Sequence, residues 1–283
     1  MNSNHPYQIK AGQHILELDK KTHIMGILNA TPDSFSDGGR FNHVSKAVDH
    51  VAQMIEEGVD IIDVGGESTR PGATKVDLDE ELERVLPVIE AVSKRFDIPI
   101  SIDTYKAEVA KQAIACGAHI INDVWGAKAD QNMAAVAAQT KAPIILMHNR
   151  TDRNYQDFLD DVITDLKESI QIVQAAGVKK QNIILDPGIG FAKSHEQNLL
   201  MMRSLDRLQE LNFPVLLGTS RKSMIGNTLS LPPEERVEGT IATVCLGIQL
   251  GCHIVRVHDV QAVYRAVKMM DAMLGREVVL QHG

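Results

Sequence analysis

Aromatic residues are scarce: one Trp, four Tyr and six Phe, 4% of 283 positions. A core made from this chain must be aliphatic, and a hydrophobic content of 44% can supply it from Ile, Val, Leu, Ala and Met. Cysteine is scarcer still. Cys116, Cys245 and Cys252 include no C-x-x-C pair, which argues against a disulfide framework or structural zinc and suits a reducing cytoplasm. No apolar run approaches membrane-spanning length, and no basic segment followed by an apolar one opens the chain as a secretory signal would. Without such a signal, the sequon Asn29-Ala-Thr31 reads as accidental. Positive charge is in deficit, 29 Lys and Arg against 37 Asp and Glu, for a formal net charge of -8. That balance excludes nucleic acid and anionic membrane as general partners, while leaving room for a local basic pocket holding a small anion. Linkers rich in Pro, Gly or Ser and low-complexity tracts are also lacking, so the expectation is one domain, 1–283.

What is present is a repeated unit. After two short stretches at 7–10 and 13–18, which read as a hairpin around Ala11-Gly12, apolar strands are expected at 23–29, 61–66, 99–104, 120–124, 143–148, 183–188, 214–219 and 253–258. Helical spacing fills the gaps: Val44 to Glu57, the steps Leu82, Val85, Leu86, Ile89 and Val92, and then 105–116, 130–139, 155–176, 194–211, 234–250 and 260–274. The strands are near-continuous apolar runs, as in a parallel sheet covered on both faces. This alternation predicts an α/β protein, a (β/α)8 TIM barrel with a short N-terminal β-hairpin. A doubly wound open sheet is the alternative. Polar side chains at the C-terminal end of nearly every strand favour the barrel, where those ends converge on one mouth.

Those strand ends are the chemically informative positions. The first delivers Asn29 and a polar loop through Thr31-Pro-Asp-Ser-Phe-Ser-Asp-Gly-Gly39, in which Pro32 and the two glycines set the backbone. The second carries Asp63 into Gly65-Gly-Glu-Ser-Thr-Arg-Pro-Gly72. The others end in Asp103-Thr104, Asn122-Asp123, Met147-His148, Asp186-Pro-Gly-Ile-Gly190, Gly218-Thr-Ser-Arg-Lys-Ser223 and Arg256-Val-His258-Asp259. Each has an ordinary reading in isolation: Asp103 as a helix cap, His148 as a structural histidine, Lys222 as a solvated side chain, Arg70 as a partner for Glu67. Independent ordinary readings do not explain polar groups at all of these ends. Arg70, Lys222, Arg256 and His258 form a cationic set suited to a phosphate-type anion. Asp103, Asn122 and Asp186 form an acceptor-rich set suited to a flat heterocycle with several N–H groups.

Other motifs fail on spacing. Gly188-Ile-Gly190 lacks a third glycine for a dinucleotide fingerprint, Gly218-Thr-Ser-Arg-Lys-Ser223 lacks the first glycine of a P-loop, and His195-Glu196 has Leu199 where a zincin needs its second histidine. Met201-Met202 and Met269-Met270 read as core filler, and the acidic run 77–83 as a helix start with a solvated face.

Taken together, Met25 to Gly39, Asp63 to Gly72, Ser101-Ile-Asp-Thr104, Asp186 to Phe191, Gly218 to Ser223 and Arg256-Val-His258 resemble the dihydropteroate synthase family over nearly the whole chain. The resemblance implies a (β/α)8 barrel that condenses 6-hydroxymethyl-7,8-dihydropterin diphosphate with p-aminobenzoate, giving 7,8-dihydropteroate and diphosphate with Mg2+ assisting. It further implies a cytoplasmic homodimer and sulfonamide target. Carried over by motif, it implies that Asp103, Asn122, Asp186 and Lys222 hold the pterin. Asn29, Arg256 and His258 hold the diphosphate, with Asn29 reaching Mg2+. Phe35, Asp37, Thr69, Arg70 and Pro71 assemble over the site, and Ser220 with Lys222 lines the p-aminobenzoate side. Catalysis falls to Asp103, Lys222, Arg256 and His258. A corrinoid-type pterin-binding methyltransferase and a non-catalytic pterin-binding paralogue are the alternatives. Trp125, Asn149-Arg150 and Ala192 depart from the family pattern and are expected to be loop variation.

Overall fold

The structure is a computed structural model that describes residues 7–30, 39–67 and 75–276. A hairpin of β1 (Gln8–Ala11) and β2 (His14–Glu17) precedes eight parallel strands: β3 (His23–Asn29), β4 (Ile61–Gly65), β5 (Ile100–Asp103), β6 (Ile120–Asp123), β7 (Ile144–Met147), β8 (Ile183–Asp186), β9 (Leu216–Leu217) and β10 (Ile254–Val257). Their order is β8-β7-β6-β5-β4-β3-β10-β9, and a parallel bridge between Leu185 and Val215 joins the two ends of that series. The ring is therefore closed, as the strand-end pattern predicts. The open sheet does not form.

β9 is the shortest strand because Pro214 has no N–H to give the ladder. Its carbonyl still takes the Leu185 N–H at 2.9 Å, so closure survives at that seam.

Alternation along the strands builds two cores. Met25, Ile61, Ile120, Ile145, Ile184, Leu216 and Ile254 pack with Ile9, Ala11, Leu16 and Leu18 of the hairpin, which plugs the N-terminal end of the barrel. Their neighbours one residue on or back, among them Ile24, Ile62, Ile121, Ile144, Ile183 and Val255, face the helices in the larger cluster. The surrounding helices are α1 (Gly39–Glu56), α2 (Leu78–Arg95), α3 (Ala107–Cys116), α4 (Met133–Thr140), α5 (Phe158–Ala175), α6 (His195–Arg203), α7 (Ser223–Leu229), α8 (Val237–Gln249) and α9 (Val260–Met273).

Two details differ from the sequence expectation. The helix expected over 194–211 stops at Ser204, and a 3-10 segment, Leu205–Leu211, follows. Leu205, Leu208 and Leu211 recur every three residues, which suits three residues per turn. Helix α7 was not expected. It is seven residues long and carries Gly226, where a Cβ would meet the Arg236 guanidinium at 2.1 Å. Among the described residues, no helix is long and apolar enough to cross a membrane.

Candidate functional site at the barrel mouth

Stepping two residues along each strand keeps the same face and moves one layer toward the C-terminal end. From Ile61, Ser101, Ile120, Ile184 and Ile254 this step reaches Asp63, Asp103, Asn122, Asp186 and Arg256. The interior layer beside the hairpin is mainly apolar and the layer above it is polar. The polar layer is also buried: Asp63, Asp103, Asn122 and Asp186 all lie within the protein.

Charged groups separated into two sets by the sequence reading are interleaved here. The Arg256 guanidinium donates from Nε to Asp63 Oδ2 at 2.6 Å and from Nη2 to Asp103 Oδ2 at 2.7 Å. Asn122 Nδ2 donates to the same Asp63 oxygen at 3.2 Å. Burial raises Asp103 to about 7; Arg256 opposes the shift, while Asp63 and Glu81 add to it. Burial alone would lower Arg256, but Asp63 and Asp103 outweigh it and hold its pKa above the usual value. Asp63 Oδ1 and Asp103 Oδ1 are buried and accept no hydrogen bond from the described residues. Shielded acceptors of this kind are costly unless a donor reaches them.

On the other side of the mouth, Lys222 Nζ donates to the Ile189 carbonyl and sits 4.8 Å from the centre of the Phe191 ring. A Cβ built on Gly218 would lie 3.9 Å from Lys222 Nζ, 3.9 Å from Arg256 Cβ and 4.0 Å from Asp186 Oδ2, so these three side chains border one space. Burial raises Asp186, with Lys222 opposing, and lowers Lys222 to about 8, with Asp186 opposing. Asp186 Oδ1 accepts the Gly188 N–H at 2.7 Å, so the loop after β8 fixes its carboxylate.

Ser220 is buried and turned toward His258. Its Oγ lies 2.9 Å from His258 Nδ1 and accepts the His258 backbone N–H at 3.1 Å. It orients the histidine, a role the sequence reading did not assign. Arg221, in the left-handed region at φ 58°, pairs with Asp259, and Arg236 binds the Arg221 carbonyl at 2.9 Å. Asn29 is the exposed end of an otherwise buried strand. Phe35, Asp37, Thr69, Arg70 and Pro71 lie outside the described residues.

Not every strand-end group faces the mouth. Asp123 accepts the N–H groups of Trp125 at 2.8 Å and Ala127 at 2.7 Å, which holds the turn after β6. Asn149 Nδ2 donates to Val124 O at 3.1 Å, tying the turn after β7 to it. His148 is engaged with Lys193 and Asp165. Sequence reasoning gave Asp63 no role, although the two-residue step from Ile61 would have found it.

The donor set also bears on a divalent cation. Among the described residues no group of three or more His, Cys, Asp or Glu could hold a metal ion. Mg2+ does not require one, since it binds through one or two protein oxygens together with substrate phosphates and water. The exposed amide of Asn29 fits that pattern as a single hard-oxygen donor.

The family model described as "Pterin binding enzyme" matches residues 25–258. The chain is 59% identical over 268 residues to the dihydropteroate synthase of Bacillus subtilis, covering 95% of this chain and 94% of that protein. A Clostridium difficile dihydropteroate synthase solved in the presence of pteroic acid superposes with a TM-score of 0.90 at 52% identity, over 93% of this chain and 100% of the other. The Xanthomonas albilineans enzyme solved with 4-aminobenzoic acid gives a TM-score of 0.91 at 42% identity, over 95% and 99%.

Proposed function

The chain belongs to the dihydropteroate synthases, pterin-binding transferases of folate biosynthesis, and on that premise we propose how its barrel mouth condenses 6-hydroxymethyl-7,8-dihydropterin diphosphate with p-aminobenzoate. The observation that carries the proposal is the meeting of Asp103, Asn122, Asp186, Lys222 and Arg256, brought from well-separated parts of the chain to one buried rim.

The pterin ring enters beside Asp103 and Asp186. Ring N–H groups give Asp103 Oδ1 the donor it lacks and add to the bonds on Asp186. Lys222 donates to ring acceptors from over Phe191. Arg256 and His258, the latter oriented by Ser220, face the diphosphate arm with Asn29. Ser220 and Lys222 border the p-aminobenzoate side. Phe35, Asp37, Thr69, Arg70 and Pro71 belong to the loops assigned to cover the site.

The C–O bond between the pterin methylene and diphosphate breaks, and its electron pair leaves with diphosphate. The amine lone pair then forms the C–N bond, and the amine gives up one proton to the released diphosphate or to water. No side chain here is an obvious nucleophile, and an aryl amine needs little help from a base. The residues act by charge: Arg256 meets negative charge growing on the leaving oxygen, and the Asp103 carboxylate steadies positive charge on the pterin. Asn29 and the substrate oxygens would hold Mg2+, which when bound would supply further charge neutralisation at the diphosphate.

Three thiols without disulfides, two half-buried and one buried, support a place in the reducing cytoplasm. Exposed Leu246, Met269, Met273 and Leu274 on and just after α8 and α9 support a homodimer through that face, which sedimentation would test. Sulfonamides, which copy p-aminobenzoate, should compete with it.

Diphosphate release is the test. Protein, dihydropterin diphosphate, Mg2+ and p-aminobenzoate together should release diphosphate with formation of dihydropteroate. Pterin binding without turnover would favour a non-catalytic paralogue, and methyl transfer from methyltetrahydrofolate would favour the corrinoid-type alternative.

A further inference from the structure

Behind the pterin side of the mouth lies a line of polar side chains to which the reaction assigns no task. Lys193 is a lysine only 4% exposed. Its Nζ lies 2.8 Å from His148 Nδ1, 2.9 Å from Gly188 O and 3.1 Å from Phe191 O. The Asp165 carboxylate only accepts, so the single ring proton of neutral His148 sits on Nε2, 3.0 Å from Asp165 Oδ2, and Nδ1 accepts from Lys193, whose own pKa burial lowers to about 7. Burial pushes the His148 pKa down to about 4, which keeps the ring in that neutral form. Arg150 holds the same carboxylate from the solvent side, with Nη2 3.2 Å from Asp165 Oδ1. Burial works against ionisation of Asp165, but the bonds from His148 and Arg150 win and hold its pKa below the usual range. The line thus runs from α5 through the end of β7 to the loop after β8.

The far side of that loop serves the site. The Gly188 peptide is gripped from both directions: its N–H donates to Asp186 Oδ1 at 2.7 Å, and its carbonyl accepts from Lys193. The next carbonyl, Ile189 O, accepts from Lys222, and the Phe191 ring lies beside the same ammonium. Gly188 has φ 66°, and a Cβ there would come within 2.0 Å of His148 O, so the loop is pressed hard against the end of β7. Tyr155 Oη pins the Ala192 carbonyl at 2.9 Å, where Ala192 has φ 45°. Lys193 therefore reaches two carbonyls of a segment that also touches two of the four residues assigned to the pterin, Asp186 and Lys222.

We propose that Lys193 is a positioning residue for pterin recognition: by clamping the Gly188 and Phe191 carbonyls against His148, it fixes the loop that aims Asp186 and Lys222 at the ring. The proposal rests on the reading that Asp186 and Lys222 hold the pterin. Removing the ammonium leaves the half-buried Phe191 carbonyl and the His148 acceptor without this donor and Gly188 O with only the Phe191 N–H at 3.1 Å, and the loop relaxes to find others. Asp186 then loses its fixed Gly188 N–H, and Lys222 its carbonyl. The p-aminobenzoate side shares Lys222 with this loop, but its other border, Ser220, is held by His258 outside the loop, so that side is expected to lose less.

The test uses Lys193→Met, which keeps the length and apolar bulk of the stem but removes the donors, and calorimetric titration with 6-hydroxymethylpterin, a probe that cannot turn over. The expected result is ring affinity weakened at least tenfold, with KM for p-aminobenzoate within threefold of the parent. The loss should be non-additive with Lys222→Ala, because both variants break the same coupling. Lys193→Gln, which keeps an N–H donor in the clamp, should recover part of the affinity, and it carries the test if the methionine variant does not fold. Affinity within twofold of the parent in Lys193→Met, with Lys222→Ala impaired, would overturn this assignment alone. So would full additivity, or a glutamine variant no better than methionine. Normal ring affinity in Lys222→Ala would overturn both this assignment and the pterin reading beneath it.

Discussion

Arg256 is bound to two carboxylates at once, Asp63 at 2.6 Å and Asp103 at 2.7 Å. These residues come from β10, β4 and β5, and β3 lies between β10 and β4 in the sheet. The guanidinium therefore reaches across the barrel interior to form the contact, and it is the group that makes two adjacent buried acids tolerable. It is thus an internal counter-ion as well as the assigned partner of the diphosphate.

This double duty predicts the effect of Arg256→Ala. Loss of the contact to the departing diphosphate should cost about 2–4 kcal/mol of transition-state stabilisation, read as a fall in kcat/KM. Ring affinity should fall too, because Asp103 and Asp63 lose their shared cation and Asp103 is driven further toward its neutral form. Arg256→Lys should rescue poorly, since a point charge cannot span both carboxylates as the planar fork does. An unchanged rate in the alanine variant would remove Arg256 from the mechanism.

Asp103 near 7 and Lys222 near 8 predict a bell-shaped pH dependence for ring binding. Asp103 accepts best when ionised, so affinity should rise as pH passes about 7. Lys222 donates a charged hydrogen bond only when protonated, so affinity should fall as pH passes about 8. The stability of the unliganded protein should show the linked effect. Asp103 is raised on folding, so the folded state holds its proton more tightly, and stability from this group is lost between the unfolded value of 3.8 and about 7. Calorimetry with 6-hydroxymethylpterin from acid to alkaline pH tests the first point; a flat profile would refute the protonation states assigned here.

The cation reading predicts a separation of binding from turnover. Chelation of Mg2+ should abolish diphosphate release while leaving 6-hydroxymethylpterin affinity within twofold, because the ring contacts are made by side chains. Asn29→Ala should raise the Mg2+ concentration needed for half-maximal rate without weakening ring binding. A parallel loss of both properties on chelation would place the cation's role in the fold or the ring pocket instead.

The barrel was legible because a strand covered on both faces leaves an unbroken apolar run, and such runs as Ile183-Ile-Leu185 have few other uses at that length. The candidate site was legible because polar side chains interrupt those runs mainly at their C-terminal ends, Asp63 and Ser101 being internal exceptions. What escaped the sequence reading was pairing. Asp63 lies inside an apolar run and reads as an isolated exception; register across β3 puts Ile61 level with Arg256, and only the side-chain bond shows Asp63, two residues further on, as its partner. Lys193 follows a Gly-rich loop and looks like any solvated lysine, since burial depends on where that loop packs. Helix α7 escaped because Gly226, Asn227 and Thr228 are poor helix formers, and the helix is held by Arg236 and its neighbours.

Gly188 and Gly275 give a matched test of how much the β8 loop is held by contact rather than by backbone angle. Their φ values are 66° and 69°, so an alanine meets nearly the same intrinsic strain at either position. That strain costs about 1 kcal/mol in the left-handed region. The surroundings differ. A Cβ at Gly275 meets nothing within 4 Å, whereas at Gly188 it meets His148 O at 2.0 Å and Lys193 Nζ at 3.3 Å. Backbone carbonyls move only with their strand, so Gly188→Ala must displace the loop itself. Gly275→Ala should lower stability by about 1 kcal/mol and leave ring affinity unchanged. Gly188→Ala should cost more than about 2 kcal/mol, as overpacking adds to strain, and should weaken 6-hydroxymethylpterin binding at least tenfold by shifting the N–H that holds Asp186. Denaturant unfolding and calorimetry on the two variants read both quantities. Equal losses at the two sites would mean that the loop yields freely and that its packing against His148 does not set the pterin pocket.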